Sequence, residues 1–133
     1  MNYKLKKFEK HSDARGDLVV FLKNSDIDQK KKIFGQIYFI TFGGRRIIRG
    51  NHYHKNWSEW FGIVSGSVEV VLEDIHTKQR AKFVLDHSEH EYTRLFIGPG
   101  IAHAFISLTP YAALLNYADS EWYADDTYPY MLL

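Results

Sequence analysis

The sequence predicts an all-β fold, a sandwich or barrel of short strands, and three observations lead to this prediction. Runs rich in β-branched and aromatic residues recur along the chain and alternate with breaks that contain Gly, Pro, Asp or Asn. No long stretch keeps the apolar period of an amphipathic helix. The breaks are mostly short, as they are between antiparallel strands. We therefore expect a single domain that spans residues 1–133 and contains little helix.

Eight runs are predicted to be strands. In chain order they cover residues 18–22, 36–42, 59–64, 68–73, 81–85, 94–97, 104–108 and 113–117. The connection 75–78 suits a hairpin between the fourth and fifth runs, and Gly66 suits a turn between the third and fourth. The polar segment 24–32 is expected to form a loop or one turn of helix, with the lysine run 30–32 in solvent.

Composition excludes several classes of function. The chain has no cysteine, which removes zinc-finger, thiol-nucleophile and redox chemistry and favours a reducing compartment. Seventeen basic and sixteen acidic residues give a formal net charge of +1, so no overall field attracts nucleic acid or a membrane. Segment 1–10 lacks the apolar stretch of a signal peptide, and no later run is long enough to cross a bilayer. We expect a cytoplasmic protein that binds neither nucleic acid nor membranes.

Histidines carry the main functional signal. Successive side chains of an extended segment point to opposite faces, so His52 and His54 project together while Tyr53 points away. Glu59 follows closely, and His103 lies at the start of a later apolar run. Imidazole and carboxylate groups suit either proton transfer near neutral pH or a divalent metal ion such as Zn, Fe, Mn or Ni. We expect these four side chains to converge, with both chemistries open.

The spacing of these residues resembles the two signatures of the cupin superfamily. His-x-His, four residues, Glu, six residues and Gly is matched by His52, His54, Glu59 and Gly66, and the second signature is similar to residues 98–103. The resemblance implies a small jelly-roll barrel, the double-stranded β-helix. In metal-binding cupins the positions of His52, His54, Glu59 and His103 are the ligands, whereas many sugar-processing cupins keep a polar cluster without a metal.

Other blocks resemble cupin enzymes that act on nucleotide-linked sugars. Residues 49–55 and the tail 118–128 are similar to dTDP-4-keto-6-deoxyglucose 3,4-ketoisomerases, whereas residues 102–105 and Tyr117 are similar to the 3,5-epimerases of the same sugar. Glu59 departs from both branches, because ketoisomerases usually carry glutamine there and the epimerases carry lysine. The cupin domain of capsular-sugar epimerases is also similar; it keeps the histidine pair with a glutamate and can hold zinc.

The resemblance implies an isomerase or epimerase that acts on a nucleotide-linked 4-keto-6-deoxyhexose, with dTDP as the expected nucleotide. Such an enzyme belongs to the biosynthesis of unusual sugars or surface polysaccharides. His52 matches both branches and is the expected base beside the ketone. His54, Tyr117 and Tyr38 are candidates for returning the proton or for contacting sugar hydroxyls.

Two arginines are the expected diphosphate ligands. Arg15, in the matched block 13–18, and Arg49 carry forked donors that stay charged, which is the geometry that a diphosphate requires. His103 is a further expected substrate contact. This interpretation requires no cofactor, and it implies a homodimer that covers an exposed sheet edge. The alternative is a metal-dependent cupin, either an oxygenase or a sugar-binding module, that uses the three histidines and Glu59.

Overall fold

Twelve strands form nearly all of the regular structure in the residues that the computed structural model describes, which are 1–28, 30 and 33–133. Two 3₁₀ turns cover Asn24–Asp26 and Ala124–Asp126. No helix in the described residues has the length and apolar character needed to cross a membrane. The strands are β1 (Tyr3–Glu9), β2 (His11–Asp13), β3 (Gly16–Leu18), β4 (Gln36–Thr41), β5 (Ile48–Tyr53), β6 (Glu59–Ser65), β7 (Ser67–Asp74), β8 (Arg80–Asp86), β9 (Glu91–Ile97), β10 (Ile101–Ser107), β11 (Ala113–Ala118) and β12 (Tyr128–Pro129).

Two five-stranded antiparallel sheets pack face to face. The first sheet has the strand order β1-β9-β6-β11-β4, and the second has the order β12-β5-β10-β7-β8. Strands β2 and β3 form a separate hairpin. The predicted all-β, jelly-roll fold is confirmed. Among the described residues, however, the two sheets remain separate hydrogen-bonded units and do not close into a continuous barrel.

The core lies between the two sheets and follows from strand alternation. In β6, Phe61 and Ile63 are buried, whereas the next residue, Val64, is 58% exposed. In β7, Val70 and Leu72 are fully buried and belong to the same cluster. Each such side chain contributes roughly 1.5–3 kcal/mol when it leaves water. The core therefore fixes which face of each strand looks into the space between the sheets.

The strand predictions hold for all runs except the first. The hairpin at 75–78 is confirmed, because Glu73 pairs with Arg80 across β7 and β8. Residues 19–22 form no strand. Val19 and Phe21 are partly buried and pack against the core cluster, so these apolar side chains contribute to the core although their backbone does not pair with a neighbouring strand. Of the lysine run, Lys30 is exposed, and residues 31–32 lie outside the described residues.

Strand β1 was not predicted, because its lysines obscure the alternation of apolar and polar residues that indicates a strand. It pairs with β9 from Tyr3 opposite Ile97 to Glu9 opposite Glu91, and it is an edge of the first sheet. Lysines are common on edge strands, where their charge discourages pairing with another chain. A polar run at the edge of a sheet therefore gives little strand signal.

Candidate functional site

A bulge in β5 sets the direction of its side chains. Opposite His103 and Phe105 of β10 stand His52 and Arg49, so β5 contains one extra residue between the two pairs. Gly50 and Asn51 have φ angles of 93° and 57°, which place the extra residue outside the regular pleat. As a result, Arg49 and His52 lie together on the face of β5 that is turned towards the first sheet, although they are three residues apart.

Three histidines converge on this interior face. The ring of His52 lies 5.0 Å from that of His54 and 4.8 Å from that of His103, and the last two are 5.7 Å apart. Tyr53 points away and stacks on Tyr128 at 5.1 Å. The predicted alternation along residues 52–54 is confirmed.

Glu59 completes the cluster from the opposite sheet. It begins β6, is 4% exposed, and places Oε2 3.3 Å from Nε2 of His103 and 3.8 Å from Nε2 of His54. The hydroxyl of Tyr38, on β4, donates a hydrogen bond to Oε1 of Glu59 at 3.2 Å. The expected convergence of three histidines and a carboxylate is therefore present, and it bridges the two sheets.

Backbone carbonyls fix the tautomers of two histidines. Nδ1 of His54 lies 2.8 Å from the carbonyl oxygen of Asp126, and Nδ1 of His103 lies 3.1 Å from that of Ile101. A carbonyl oxygen only accepts, so each Nδ1 carries the hydrogen and each neutral ring leaves a lone pair on Nε2. Both lone pairs face Glu59, whose Oε2 has no hydrogen-bond donor among the described residues.

Burial shifts the protonation of the cluster towards neutral groups. It raises the pKa of Glu59 to about 7, against the opposing hydrogen bond from Tyr38. It also lowers the pKa of His103 well below its usual range, and together with nearby His54 it lowers the pKa of His52 to about 4. A protonated Glu59 can then donate to the Nε2 lone pair of His103, which satisfies both atoms. His52 stays neutral and keeps its proton-accepting capacity.

Two groups stand at the open side of the cluster. His52 is partly exposed, whereas His54 and His103 are 5% and 1% exposed. Arg49 is exposed and close enough to Tyr38 for its charge to oppose the rise that burial causes in the phenol pKa. A ligand that enters therefore meets His52 and Arg49 first. His103, predicted as a substrate contact, lies behind them and presents almost no surface.

The structure does not bring Tyr117 to the histidines. Tyr117 stands opposite Trp60 on the outer face of the first sheet, and its ring packs between Phe34 and Trp60 at 5.7 and 5.6 Å. Its neighbour Asn116 stands opposite the core residue Phe61 and takes the inward position. Within this chain, Tyr117, a candidate for returning the proton or contacting sugar hydroxyls, therefore lies away from His52, because strand parity places it on the other face.

Arg15 is also remote from the histidines. It lies in the turn between β2 and β3 with a side chain that is 90% exposed, and it pairs with Asp13 at 2.5 Å. The hairpin follows Glu9, which pairs with Glu91, whereas Glu59 pairs with Ile97 at the other end of β9. Within this chain, the predicted diphosphate contact of Arg15 is not formed near the cluster.

Two residues outside the predicted site support His54. The indole of Trp57, 2% exposed, stacks on its ring with a centroid distance of 4.0 Å. Asp126, 1% exposed, holds the loop that follows His54. Asp126 lies in the tail 118–128, which resembles the tail of the ketoisomerases, but this resemblance implies no function for Asp126 itself.

The donor set also fits a divalent ion. One ring nitrogen from each of His52, His54 and His103 lies within 4.8 Å of the others. Hydrogen bonds from Nδ1 to carbonyl oxygens are typical of metal-bound histidines, and the unsatisfied Oε2 of Glu59 could be a fourth ligand. An ion held by these residues would polarise a carbonyl oxygen as a Lewis acid. The cluster is therefore suited both to proton transfer and to binding of a divalent ion.

Proteins of known activity resemble the chain along nearly its whole length. The TDP-4-oxo-6-deoxy-alpha-D-glucose-3,4-oxoisomerase of Aneurinibacillus thermoaerophilus is 27% identical over 128 residues, which cover 96% of this chain and 86% of that protein. A mutant of the 3,4-ketoisomerase QdtA from Thermoanaerobacterium thermosaccharolyticum, solved in complex with TDP-4-keto-6-deoxyglucose, has a TM-score of 0.78 and 25% identity. The match covers 95% of this chain and 86% of QdtA.

The fold is also shared with an epimerase. ChmJ, a 3'-monoepimerase from Streptomyces bikiniensis solved with dTDP-quinovose, has a TM-score of 0.81 and 20% identity over 94% of this chain and 67% of its own. These names describe isomerases and epimerases of dTDP sugars, and they give no support to the alternative of an oxygenase or sugar-binding cupin. The family model described as "FdtA: WxcM-like, C-terminal" matches residues 1–131. The chain therefore belongs to the FdtA, WxcM-like C-terminal family.

Proposed function

We propose that this chain is a 3,4-ketoisomerase of a dTDP-linked 4-keto-6-deoxyhexose, acting in the cytoplasm in the biosynthesis of an unusual or surface sugar. The observation that carries the proposal is the pair His52 and His54, whose rings lie 5.0 Å apart on one face. Moving a ketone between adjacent carbons needs proton transfer at two neighbouring positions, and paired imidazoles suit that task. The epimerase-like Tyr117 lies on the other face of its sheet, which favours ketoisomerisation over 3,5-epimerisation.

The reaction is redox-neutral, so it needs no electron acceptor. His52 takes the proton from carbon 3, and the electron pair of that C–H bond moves into the carbon skeleton to give an enediolate on oxygens 3 and 4. A proton moves from oxygen 3 to oxygen 4, and His54, after taking up a proton from solvent on Nε2, gives it to carbon 4 and leaves the ketone at carbon 3. His52 then releases the proton from carbon 3 to solvent, so both imidazoles return to the neutral form. The charge of Arg49 at the open side would bind the diphosphate of the substrate.

We further propose that no metal is required, because removal of a proton beside a ketone needs only a base and stabilisation of the resulting oxyanion. The protein would be treated with a chelator and incubated in heavy water with dTDP-4-keto-6-deoxyglucose, and the products followed by proton NMR. We expect a 3-keto product with deuterium at carbon 4. An unchanged spectrum and deuterium content would overturn the function, deuterium at carbon 5 would indicate epimerisation, and recovery only after metal is added would overturn the metal-free part.

Glu59→Gln provides a second arm of that experiment. The glutamine amide can donate to Nε2 of His103 as a protonated Glu59 would, while it cannot acquire the negative charge that favours a divalent ion. We expect this variant to retain turnover. Loss of turnover together with loss of bound metal would instead support a metal mechanism.

We propose that the protein forms a homodimer through the outer face of β4. Strand β4 is an edge of the first sheet, and its outward side chains Ile37 and Phe39 are 61% and 74% exposed, beside Phe34 at 68%. A second copy is the fitting partner, because an edge strand beside a two-fold axis can pair with itself and bury the same side chains on both copies.

The dimer is tested by Phe39→Asp, with Tyr111→Asp as the matched control. Tyr111 is 85% exposed, so both variants place a charge on an exposed aromatic position, but only Phe39 belongs to the proposed interface. We expect sedimentation analysis to show a dimer for the wild type and the control and a monomer for Phe39→Asp. A wild-type monomer, or a dimer that persists in Phe39→Asp, would contradict the proposed interface.

A further inference from the structure

The C-terminal segment contains a buried carboxylate that is fully engaged by backbone amides. Asp126 ends the second 3₁₀ turn and is 1% exposed. Its Oδ1 accepts a hydrogen bond from the amide of Lys55 at 2.9 Å, and its Oδ2 accepts one from the amide of Asn56 at 2.8 Å. A carboxylate that accepts such charge-assisted bonds ties together segments about seventy residues apart in sequence.

The backbone of the same residue holds His54. The carbonyl oxygen of Asp126 accepts a hydrogen bond from Nδ1 of His54 at 2.8 Å, so this one residue contacts three consecutive positions of the chain after β5. Trp57 stacks on His54 at 4.0 Å with an angle of 26° between the rings. The imidazole is therefore held in its plane by the indole and along its edge by the carbonyl.

The side chain of Asp126 keeps that carbonyl in place. Without the bonds to the amides of residues 55 and 56, the turn Ala124–Asp126 keeps the neighbouring pairing of Tyr128 with Tyr53, but Asp126 itself loses the contacts that fix it to the loop after His54. Nδ1 would then lack a fixed acceptor, and the neutral ring could place its hydrogen on either nitrogen. In the anchored arrangement, the Nε2 lone pair points towards Oε2 of Glu59, 3.8 Å away.

We propose that Asp126 is a positioning residue that fixes the tautomer and orientation of His54 through its backbone carbonyl and its buried carboxylate. This inference deepens the proposed function, because it rests on His54 as the group that returns a proton to the sugar. The carboxylate acts through His54 and does not itself reach the substrate.

The first test needs no substrate. Nitrogen NMR of the imidazoles would be recorded for the wild type, Asp126→Ala and Asp125→Ala, with the His54 signals assigned by their loss in His54→Asn. Asp125 lies in the same turn but is exposed, which makes it the matched control. We expect hydrogen on Nδ1 of His54 in the wild type and the control, and a mixture of both tautomers in Asp126→Ala. A single Nδ1–H tautomer in Asp126→Ala would overturn the proposal.

The second test measures turnover. Loss of a residue that orients a metal-bound histidine typically lowers activity by about 10–100-fold, and by analogy we expect kcat of Asp126→Ala to fall by a similar factor with a smaller change in KM. A kcat equal to that of Asp125→Ala would overturn the positioning role. If Asp126→Ala does not fold, the same two measurements are made on Asp126→Asn. This variant keeps the shape of the side chain and one acceptor oxygen. Inactive wild-type protein with the expected tautomer change would refute the proposed function but support the anchoring of His54.

Discussion

Replacement of His52 by asparagine is expected to lower turnover of the 4-keto sugar by about 10²–10⁴-fold, the usual contribution of a positioned acid or base. His52 is the one histidine of the cluster that is partly exposed, and no described residue hydrogen-bonds to its ring. Its low pKa, about 4, keeps it neutral near pH 7, so it can accept a proton. Asparagine keeps a polar side chain but cannot serve as the base.

The measurement is the initial rate of ketoisomerisation, together with the rate at which the proton at carbon 3 exchanges with heavy water. Both rates should fall together, since both depend on the same proton removal. His76→Asn is the matched control, because His76 is exposed in the connection between β7 and β8. Exchange that persists in His52→Asn while product formation stops would assign the first proton transfer to a different group.

Side-chain alternation made much of the fold and the centre of the site predictable. Most strand runs have alternating apolar residues, because one face of each sheet is buried against the other sheet. The same rule placed His52 and His54 together. Their meeting with Glu59 and His103 was expected from the motif spacing, and the structure brings all four together across the two sheets.

Other features depend on long-range contacts that a local pattern does not contain. The orientation of Tyr117 depends on its register with β6, where Trp60 stands opposite it. The role of Asp126 depends on contacts with residues 54–56, which lie 70 to 72 positions earlier in the sequence. The remote position of Arg15 follows from the strand pairing, because the hairpin β2–β3 that carries Arg15 follows the Glu9 end of β1. Each requires knowledge of which strands pair and in what register.

The β5 bulge is a further feature that the sequence did not reveal, and Gly50 is its most sensitive residue. A Cβ added at Gly50 would lie 2.7 Å from the carbonyl oxygen of His103 and 3.2 Å from Cα of Ala104. Both contacts are with backbone, so a flexible side chain cannot move aside to relieve them. The φ angle of 93° is also unfavourable for any residue with a Cβ.

Gly50→Ala is therefore expected to lower the free energy of unfolding by about 2–4 kcal/mol, since it combines backbone strain with a shift of β5 away from β10. Gly16→Ala is the control, because Gly16 has a φ of 124° and open space around its Cβ position, so this variant introduces the strain alone. Denaturant unfolding of both variants separates the two effects. The displaced β5 also carries Arg49 and His52, so turnover by folded Gly50→Ala should fall well below that of Gly16→Ala. Equal stability and equal turnover in the two variants would show that the bulge tolerates a side chain and that the position of His52 does not depend on it.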